Sequence, residues 1–296
     1  MKINIISNLR EDVKVHHLFM FNHIVAWSLH KALKKRGIKA RLVADTYIDF
    51  KAPPKADHAI IVSGKARSRW QRLSAYRKRI RKTTKGKVAL YLDADFSGWH
   101  AVFDYVFTVV KPVRKNPRYV YAGWGADPKL FYPGQKEKAV FVDCLMYGKY
   151  GGRFNKIYDV YRKVFSLPKK LVMEGNPINK NINGIKLFMP LPVYKNRIYW
   201  PQMQETLRKC HFYCCTQLGE SGLTRIEAAT CGALLVVPKP LYRPRTMASL
   251  DHAIWSTRKE LEKILKRKTK PKQIRKKALK HSWNLVAKRI IKRLAT

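Results

Sequence analysis

Acidic residues are scarce in this sequence. Its 296 residues include 19 Asp and Glu against 62 Lys and Arg, which gives a formal net charge of +43. An excess of this size repels itself at low salt and predicts a polyanionic partner. Hydrophobic residues make up 46% of the chain, which excludes a disordered polycation. The length allows two domains of ordinary size, each with its own core.

Long hydrophobic runs and paired cysteine motifs are also missing. No run reaches the roughly 18 apolar residues that a membrane span needs, and the first residues are typical of a strand rather than a signal peptide. We therefore expect the protein in the cytoplasm, or in the host cytoplasm if it is viral. The cysteines form no Cys-x-x-Cys pair and lie mostly in apolar runs, which predicts reduced core residues. They are Cys144, Cys210, Cys214, Cys215 and Cys231.

Strand and helix patterns alternate in the first half of the chain. A helical pattern from Leu18 to Arg36 is followed by Gly37, the expected left-handed stop. Short apolar runs around this helix and after it predict strands at 2–7, 38–44, 59–62, 88–92 and 105–110. The alternation predicts a parallel sheet with helices on both faces.

No acidic residue occurs between His58 and Leu92. A solvated face normally mixes both signs, so cations without acids to balance them favour phosphate binding. We expect these cations to have no intramolecular partner, and we expect Trp70 and Tyr76 to stack on or wedge beside an opened base. The residues predicted to contact nucleic acid are Arg67, Arg69, Arg72, Arg77, Arg79, Arg81 and Trp70.

Two carboxylates, Asp93 and Asp95, follow the predicted strand 88–92. Residues just past the carboxyl end of such a strand lie where open α/β sheets bind ligands. One hypothesis is a Mg²⁺ or Mn²⁺ site for a diphosphate, since both ions prefer oxygen ligands. Another is that one carboxylate orients or deprotonates an acceptor hydroxyl. The third is a structural turn, because Asp is common in turns.

Two further glutamates, Glu220 and Glu227, occur in the second half of the chain. Strand-like runs at Cys210–Thr216 and Leu234–Val237 flank them, which indicates a strand, a glycine-containing loop, a short helix, a glycine stop and a strand. The helix N-terminus of such a unit opens near the carboxyl ends of the strands, where nucleotides bind. Carboxylates there can accept hydrogen bonds from sugar hydroxyls. The alternative is a capped surface helix, whose dipole favours a glutamate in its first turn.

A second glycine-containing loop, with Gly148, Lys149 and Arg153, lies between a predicted strand at 139–145 and a predicted helix at 154–165. Glycines let the backbone approach a diphosphate, and the helix N-terminus adds partial positive charge. In a chain with so many cations, the alternative for Lys149 and Arg153 is ordinary surface charge. Further on, we expect strands at 171–175 and 185–189 and helices at 201–210, 259–268 and 272–294.

The glutamate stretch resembles the motif of the retaining GT-B glycosyltransferases of the family 4 type. That motif is a Glu, a glycine-containing loop, a second Glu, Ala-x-x-x-Gly and a hydrophobic strand. Six residues separate Glu220 from Glu227, one fewer than is usual. Residues 124–134, Trp-Gly-Ala-Asp-Pro-Lys-Leu-Phe-Tyr-Pro-Gly, resemble the inter-domain segment of the same family. The glycine turn that often follows the first strand is absent, since Asn8, Leu9 and Arg10 stand there.

This resemblance implies an α/β protein of the GT-B fold, with two Rossmann-like domains that face a cleft. Residues 1–133 would form the acceptor-binding domain and 134–275 the nucleotide-sugar-binding domain. Residues 276–296 would form a helix that returns to the first domain. No metal or other cofactor is expected, because the family does not need one, and the co-substrate would be a nucleotide-sugar such as UDP-glucose.

The resemblance also assigns roles to individual residues. Glu220 would lie beside the donor sugar, and Glu227 would bind the ribose of the nucleotide. With Glu220, Asp93 and Asp95 are the catalytic candidates. Lys149 and Arg153 would stabilise the leaving diphosphate. The remaining donor-binding candidates are Gly148, Gly222, Leu223 and Thr224.

The predicted function is therefore nucleotide-sugar-dependent glycosyl transfer, with retention. The net charge favours as acceptor a hydroxymethylated base in duplex DNA, as in the phage DNA glucosyltransferases, with the base flipped into the cleft. One alternative is a peripheral membrane enzyme that glycosylates a lipid or lipopolysaccharide at an anionic surface. Another is a non-catalytic nucleic-acid-binding protein on the same fold. The sequence leaves the sugar, the nucleotide and the oligomeric state open.

Overall fold

The computed structural model describes residues 1–7, 21–45, 48, 51–63, 70–92, 101–109, 116–142, 152–166, 178–182, 185–189, 200–215, 222–242 and 249–296. The chain divides into two compact units. Unit 1 comprises Met1–Gly125 and His281–Thr296, and unit 2 comprises Ala126–Lys280. Both are built from parallel strands and helices, so the prediction of an α/β protein is confirmed.

The described strands and helices are numbered here in chain order. The strands are β1 (Lys2–Ser7), β2 (Lys39–Ala44), β3 (His58–Ser63), β4 (Val88–Leu92), β5 (Tyr105–Thr108), β6 (Tyr119–Tyr121), β7 (Ala139–Val142), β8 (Ile178–Ile182), β9 (Ile185–Met189), β10 (Phe212–Cys214), β11 (Leu234–Pro238) and β12 (His252–Trp255). The helices are α1 (Phe21–Lys35), α2 (Trp70–Arg81), α3 (Gly152–Val164), α4 (Trp200–Lys209), α5 (Leu223–Thr230), α6 (Arg258–Leu265), α7 (Pro271–Ala278) and α8 (Trp283–Leu294).

Unit 1 contains a six-stranded sheet in the order β2-β1-β3-β4-β5-β6, and every neighbouring pair of strands is parallel. Its central strands are continuous hydrophobic runs because helices cover such a sheet on both faces. All five residues of β4 are buried, for example. Helix α1 packs on β1, β2 and β3, and α2 packs on β4. Gly37 follows α1 with a φ of +75°, which confirms the predicted left-handed stop.

Helix α8 belongs to unit 1 although it is the last helix of the chain. It packs against α1, and Arg36 donates a hydrogen bond to the carbonyl of Asn284 at 3.0 Å. Arg289 on α8 donates to the carbonyl of Ala122 at 2.8 Å and stacks over the ring of Tyr121. The start of α8 lies directly against Gly125. Residues from both ends of the sequence therefore make up this unit.

The expected single helix over 272–294 is wrong, because α7 and α8 are separate. Ser282 begins a new helix, since its hydroxyl accepts a hydrogen bond from the amide of Leu285. The break separates the two units, with α7 in unit 2 and α8 in unit 1. The apolar residues of the two helices, Ile274 and Ala278 on α7 and Val286 on α8 among them, are buried as the periodicity predicts.

Unit 2 contains a six-stranded sheet in the order β12-β11-β10-β7-β9-β8. All its neighbouring pairs are parallel except the edge strand β8, which pairs antiparallel with β9. The sequence did not predict β8, and the strand expected at 171–175 lies outside the described residues. Helix α4 packs on β7 and on α5, while α5 packs on β11 and on α7. Gly232, two residues after the end of α5, has a φ of +82°, which is typical of a residue that terminates a helix.

In each sheet, successive strands of the chain are added first on one side and then on the other, so the strand order reverses at one point. In unit 1 this point lies between β1 and β3, and in unit 2 it lies between β7 and β10. Open α/β sheets bind ligands at the carboxyl ends of the strands beside such a reversal. The position in unit 2 is the one that concerns the predicted donor residues.

None of the helices in the described ranges is long and apolar enough to span a membrane. The four described cysteines, Cys210, Cys214, Cys215 and Cys231, are buried free thiols, as predicted, and Cys144 lies outside the described residues.

Candidate functional site

Two adjacent strands of unit 2 lead into the predicted donor-binding segments. Strands β7 and β10 are parallel neighbours, and Val142 is the register partner of Cys214. The two strands therefore end side by side, at the same end of the sheet. Gly148 and Lys149 follow β7 in sequence, and Glu220 follows β10, but all three lie outside the described residues. Arg153 lies in the first turn of α3.

Helix α5 carries the remaining donor-binding candidates, and it is almost entirely buried. Every residue from Leu223 to Thr230 is buried except Thr224, which is half-buried. The N-cap residue is Gly222, no side chain caps the helix, and its first turn contains no acidic residue. The alternative of a capped surface helix with a first-turn glutamate is therefore wrong. A glycine at the N-cap provides no side-chain acceptor for the first amides of the helix. Amides at a helix N-terminus commonly bind anions.

Glu227 lies in the last part of α5 and is fully buried. Burial raises the pKa of the nearby Cys231 thiol to about 12; Lys136, Arg208 and Arg275 oppose that rise, and Glu227 adds to it. Glu227 and these three cations therefore all lie near Cys231. A buried carboxylate is costly unless hydrogen bonds or positive charge compensate it.

Gly222 and Arg225 fit closely at the start of α5. The Arg225 side chain is 3% exposed although it is charged. A Cβ at position 222 would lie 2.5 Å from Cδ of Arg225 and 2.8 Å from its Cγ. Because Arg225 is buried, it has little room to move away. The glycine at 222 is therefore needed for the packing of this helix start, in addition to any role toward a ligand.

Arg275 joins the end of α5 to the segment that resembles the GT-B inter-domain motif. Its guanidinium donates to the carbonyls of Phe131 at 2.6 Å, Thr230 at 2.7 Å and Pro128 at 3.0 Å. Arg208 on α4 donates to the carbonyl of Leu130 at 3.2 and 2.5 Å. These two arginines hold the segment against the helices of unit 2. Sequence reasoning missed them because nothing distinguishes them from the other cations of the chain.

Lys136 is a further residue that sequence reasoning missed. Its ammonium donates to the carbonyl of Cys210 at 2.5 Å. Burial lowers the pKa of Lys136 to about 8, an effect that the nearby Cys231 and Cys210 oppose in part. Lys136 lies two residues after Gly134, at the end of the same segment, and is one of the cations near Cys231.

Some cations of the basic stretch of unit 1 have intramolecular partners, which the sequence did not predict. Arg81 forms an ion pair with Asp104 at 3.1 Å and donates to the carbonyl of Gly86. Arg79 donates to the carbonyl of Ile48 at 2.6 Å. The expectation that these cations have no intramolecular partner is therefore wrong for Arg79 and Arg81. Asp104 lies outside the acid-free interval in sequence, but β5 follows it and pairs with β4.

Tyr76 corrects a second expectation for this stretch. It is 4% exposed and lies in the core of unit 1 with Ile80, its neighbour one turn later on α2. A side chain in the core cannot stack on a nucleic-acid base. Of the other cations here, Lys78 on α2 is exposed, Arg77 is half-buried, and the exposed Lys82 follows the helix.

The remaining predicted residues fall partly or wholly beyond what the structure describes. Trp70 and Arg72 lie in the first turn of α2. The others, Arg67, Arg69, Asp93 and Asp95, lie outside the described residues. Within the described ranges, no three His, Cys, Asp or Glu side chains cluster as metal ligands would.

Comparison with known proteins identifies no family for this chain. No protein-family model matches it, and no curated protein matches it significantly.

Proposed function

We propose that the chain is a glycosyltransferase of the GT-B type that moves a sugar from a nucleotide-sugar to a hydroxyl on a polyanionic acceptor. The observation that carries this proposal is helix α5. It follows β10 beside the reversal of strand order in unit 2 and carries the buried Glu227. Its N-cap residue is Gly222, which has no side chain to cap the helix. Ligands of open α/β sheets bind at that position, and a helix N-terminus there favours a diphosphate.

In this proposal, the backbone around Gly222, Leu223 and Thr224 binds the diphosphate of the donor. Glu227 accepts hydrogen bonds from the ribose hydroxyls, for which the carboxylate must become accessible when the donor binds. Hydrogen bonds to a charged acceptor are stronger than those between neutral groups. We assign to the cations around Cys231 the role of offsetting the cost of burying this carboxylate.

The proposed reaction proceeds with retention and needs no covalent nucleophile. The bond from the anomeric carbon to the diphosphate breaks, and the acceptor oxygen bonds to that carbon from the same side. Lys149, Arg153 and the helix dipole neutralise the leaving diphosphate, and Glu220 lies beside the donor sugar. Asp93 or Asp95 orients the acceptor hydroxyl or takes its proton.

The proposed acceptor is a hydroxymethylated base in duplex DNA. The net charge of +43 supports a polyanion, and the exposed Lys78 and Lys82 support phosphate contacts in unit 1. Arg79 and Arg81 have structural partners, so we assign the contacts to Arg67, Arg69, Arg72, Arg77 and the exposed lysines near them.

A calorimetric titration with nucleoside diphosphates tests the donor site. We expect Glu227→Gln, which keeps the side-chain volume, to weaken binding by about 10- to 100-fold, because hydrogen bonds to a charged group are lost. The matched control is Glu205→Gln, since Glu205 lies on the surface of unit 2 and, among the described residues, forms an ion pair with Lys209, four residues away. Equal affinities of the two variants would remove Glu227 from the site. Wild-type protein that binds none of the common nucleoside diphosphates would overturn the proposal.

A further inference from the structure

The last part of unit 2 contains a second acid-free interval. Helix α6 begins with mixed charges: Thr257 and Glu260 form a capping box, and Arg258 pairs with Glu262 at 2.7 Å. From Lys263 to the end of the chain there is no Asp or Glu. The sequence therefore uses acids to stabilise the start of α6 and then omits them altogether.

Most cations of residues 263–280 are exposed. Two have structural roles, because Arg275 binds three backbone carbonyls and Lys277 pairs with Asp251. For the others, no ion pair joins them to a carboxylate of the described residues. We call these side chains the basic face; they are Lys263, Lys266, Arg267, Lys268, Lys270, Lys272, Lys276 and Lys280.

The charges of the basic face serve the stability of α7 only in part, since Lys276 in the last turn suits the helix dipole. Lys272 and Lys276 are four residues apart on the helix, where like charges repel each other. Lys270 is the N-cap residue and Lys272 lies in the first turn, so both oppose the helix dipole. The opposite side of the helix, with Ile274 and Ala278, is buried. A row of exposed cations that is only partly favourable to its own helix indicates a binding role.

We propose that the basic face binds the phosphate backbone of duplex DNA without preference for base sequence. Lysines bind phosphates as point charges, so contacts of this kind carry no base readout. A membrane-binding helix would insert its apolar side, but the apolar side of α7 packs on α5. Leu279 is the one large apolar side chain of residues 263–280 that is exposed in the structure. The choice of DNA as the partner rests on the proposed function, whereas the surface itself does not require sugar transfer.

A salt titration of DNA affinity with the full-length protein tests this assignment. The variant is K272Q/K276Q/K280Q, whose three side chains are exposed and spaced at four-residue intervals. The matched control is K138Q/K163Q/K259Q, which removes the same charge from exposed lysines spread over unit 2. The probes are a short duplex of mixed sequence and vesicles of phosphatidylcholine with phosphatidylserine. No nucleotide-sugar is present, so failure of the donor site would not affect the result.

Each phosphate contact contributes about 0.9 to the slope of log affinity against log salt concentration. We therefore expect the basic-face variant to lower the magnitude of this slope by about 2 to 3, and the control to change it by less than about 1. Circular dichroism and thermal melting of both variants should match the wild type. Equal slopes for the two variants would overturn the proposal. So would wild-type protein that prefers the vesicles over duplex, with vesicle binding alone reduced in the basic-face variant.

Discussion

Gly125→Ala tests the close contact between residues 122–125 and the start of α8. A Cβ at position 125 would lie 2.2 Å from the amide nitrogen of Trp283, 2.5 Å from the carbonyl carbon of Ser282 and 2.6 Å from Cα of Trp283. All three atoms belong to the backbone, so no rotation of a side chain relieves the overlap. The start of α8 must move away by about 1 Å, and overpacking of this kind costs about 1–3 kcal/mol, with the upper end expected for a backbone contact.

The assay is hydrogen exchange with mass spectrometry over a series of urea concentrations. We expect the amides of α8 to lose protection at lower urea in Gly125→Ala, with the sheet of unit 1, whereas the amides of unit 2 keep theirs. Gly37→Ala is the control, because its positive φ strains an alanine although no atom lies within 4 Å of the added Cβ. That strain costs roughly 1–2 kcal/mol and does not displace α8. Unchanged protection of α8 in Gly125→Ala would refute the contact.

Three further changes test unit 2. Arg275→Met should destabilise unit 2 by about 3 kcal/mol in urea unfolding, since partly buried carbonyls lose a charged donor, whereas Arg267→Met should change it by less than about 0.5 kcal/mol. Burial lowers the pKa of Lys136 to about 8 from 10.5, so the unfolded chain binds more protons between these pH values and the free energy of unfolding rises with pH across that window. Lys136→Met should remove this rise of roughly 3 kcal/mol from the pH profile of urea unfolding. A profile parallel to that of the wild type would contradict the expectation. Gly222→Ala should displace the buried Arg225 and weaken nucleoside diphosphate binding in calorimetry, and unchanged binding would contradict the tight fit of the two residues.

The sheets were largely predictable because parallel strands buried on both faces are continuous apolar runs. Strand β4 has the bounds that the sequence predicts, and so does β9. Gly37 and Gly232 mark helix ends because only glycine adopts a positive φ without strain. Strand β8 was not predicted, since its sequence Ile-Asn-Lys-Asn-Ile is mostly polar and it lies at a sheet edge.

The errors arise where local sequence does not reveal a partner. The apolar period runs on from α7 to α8, so the break at Ser282 leaves no gap in the pattern. Arg81 looks like any other cation of its stretch, because Asp104 reaches it only through the pairing of β4 with β5. The burial of Glu227 also depends on tertiary packing, since α5 is covered by helices from distant parts of the chain. Propensity and charge patterns carry no information about such contacts.

A transfer assay tests the central claim most directly. Wild-type protein and Glu227→Gln are incubated with labelled nucleotide-sugars and three acceptors: hydroxymethylated duplex, unmodified duplex of the same sequence, and anionic vesicles that contain lipopolysaccharide. The proposed function predicts that the wild type transfers label from one nucleotide-sugar to the hydroxymethylated duplex alone, and that Glu227→Gln transfers far less. Label in the lipid fraction, or no label in any acceptor with any donor, would contradict it.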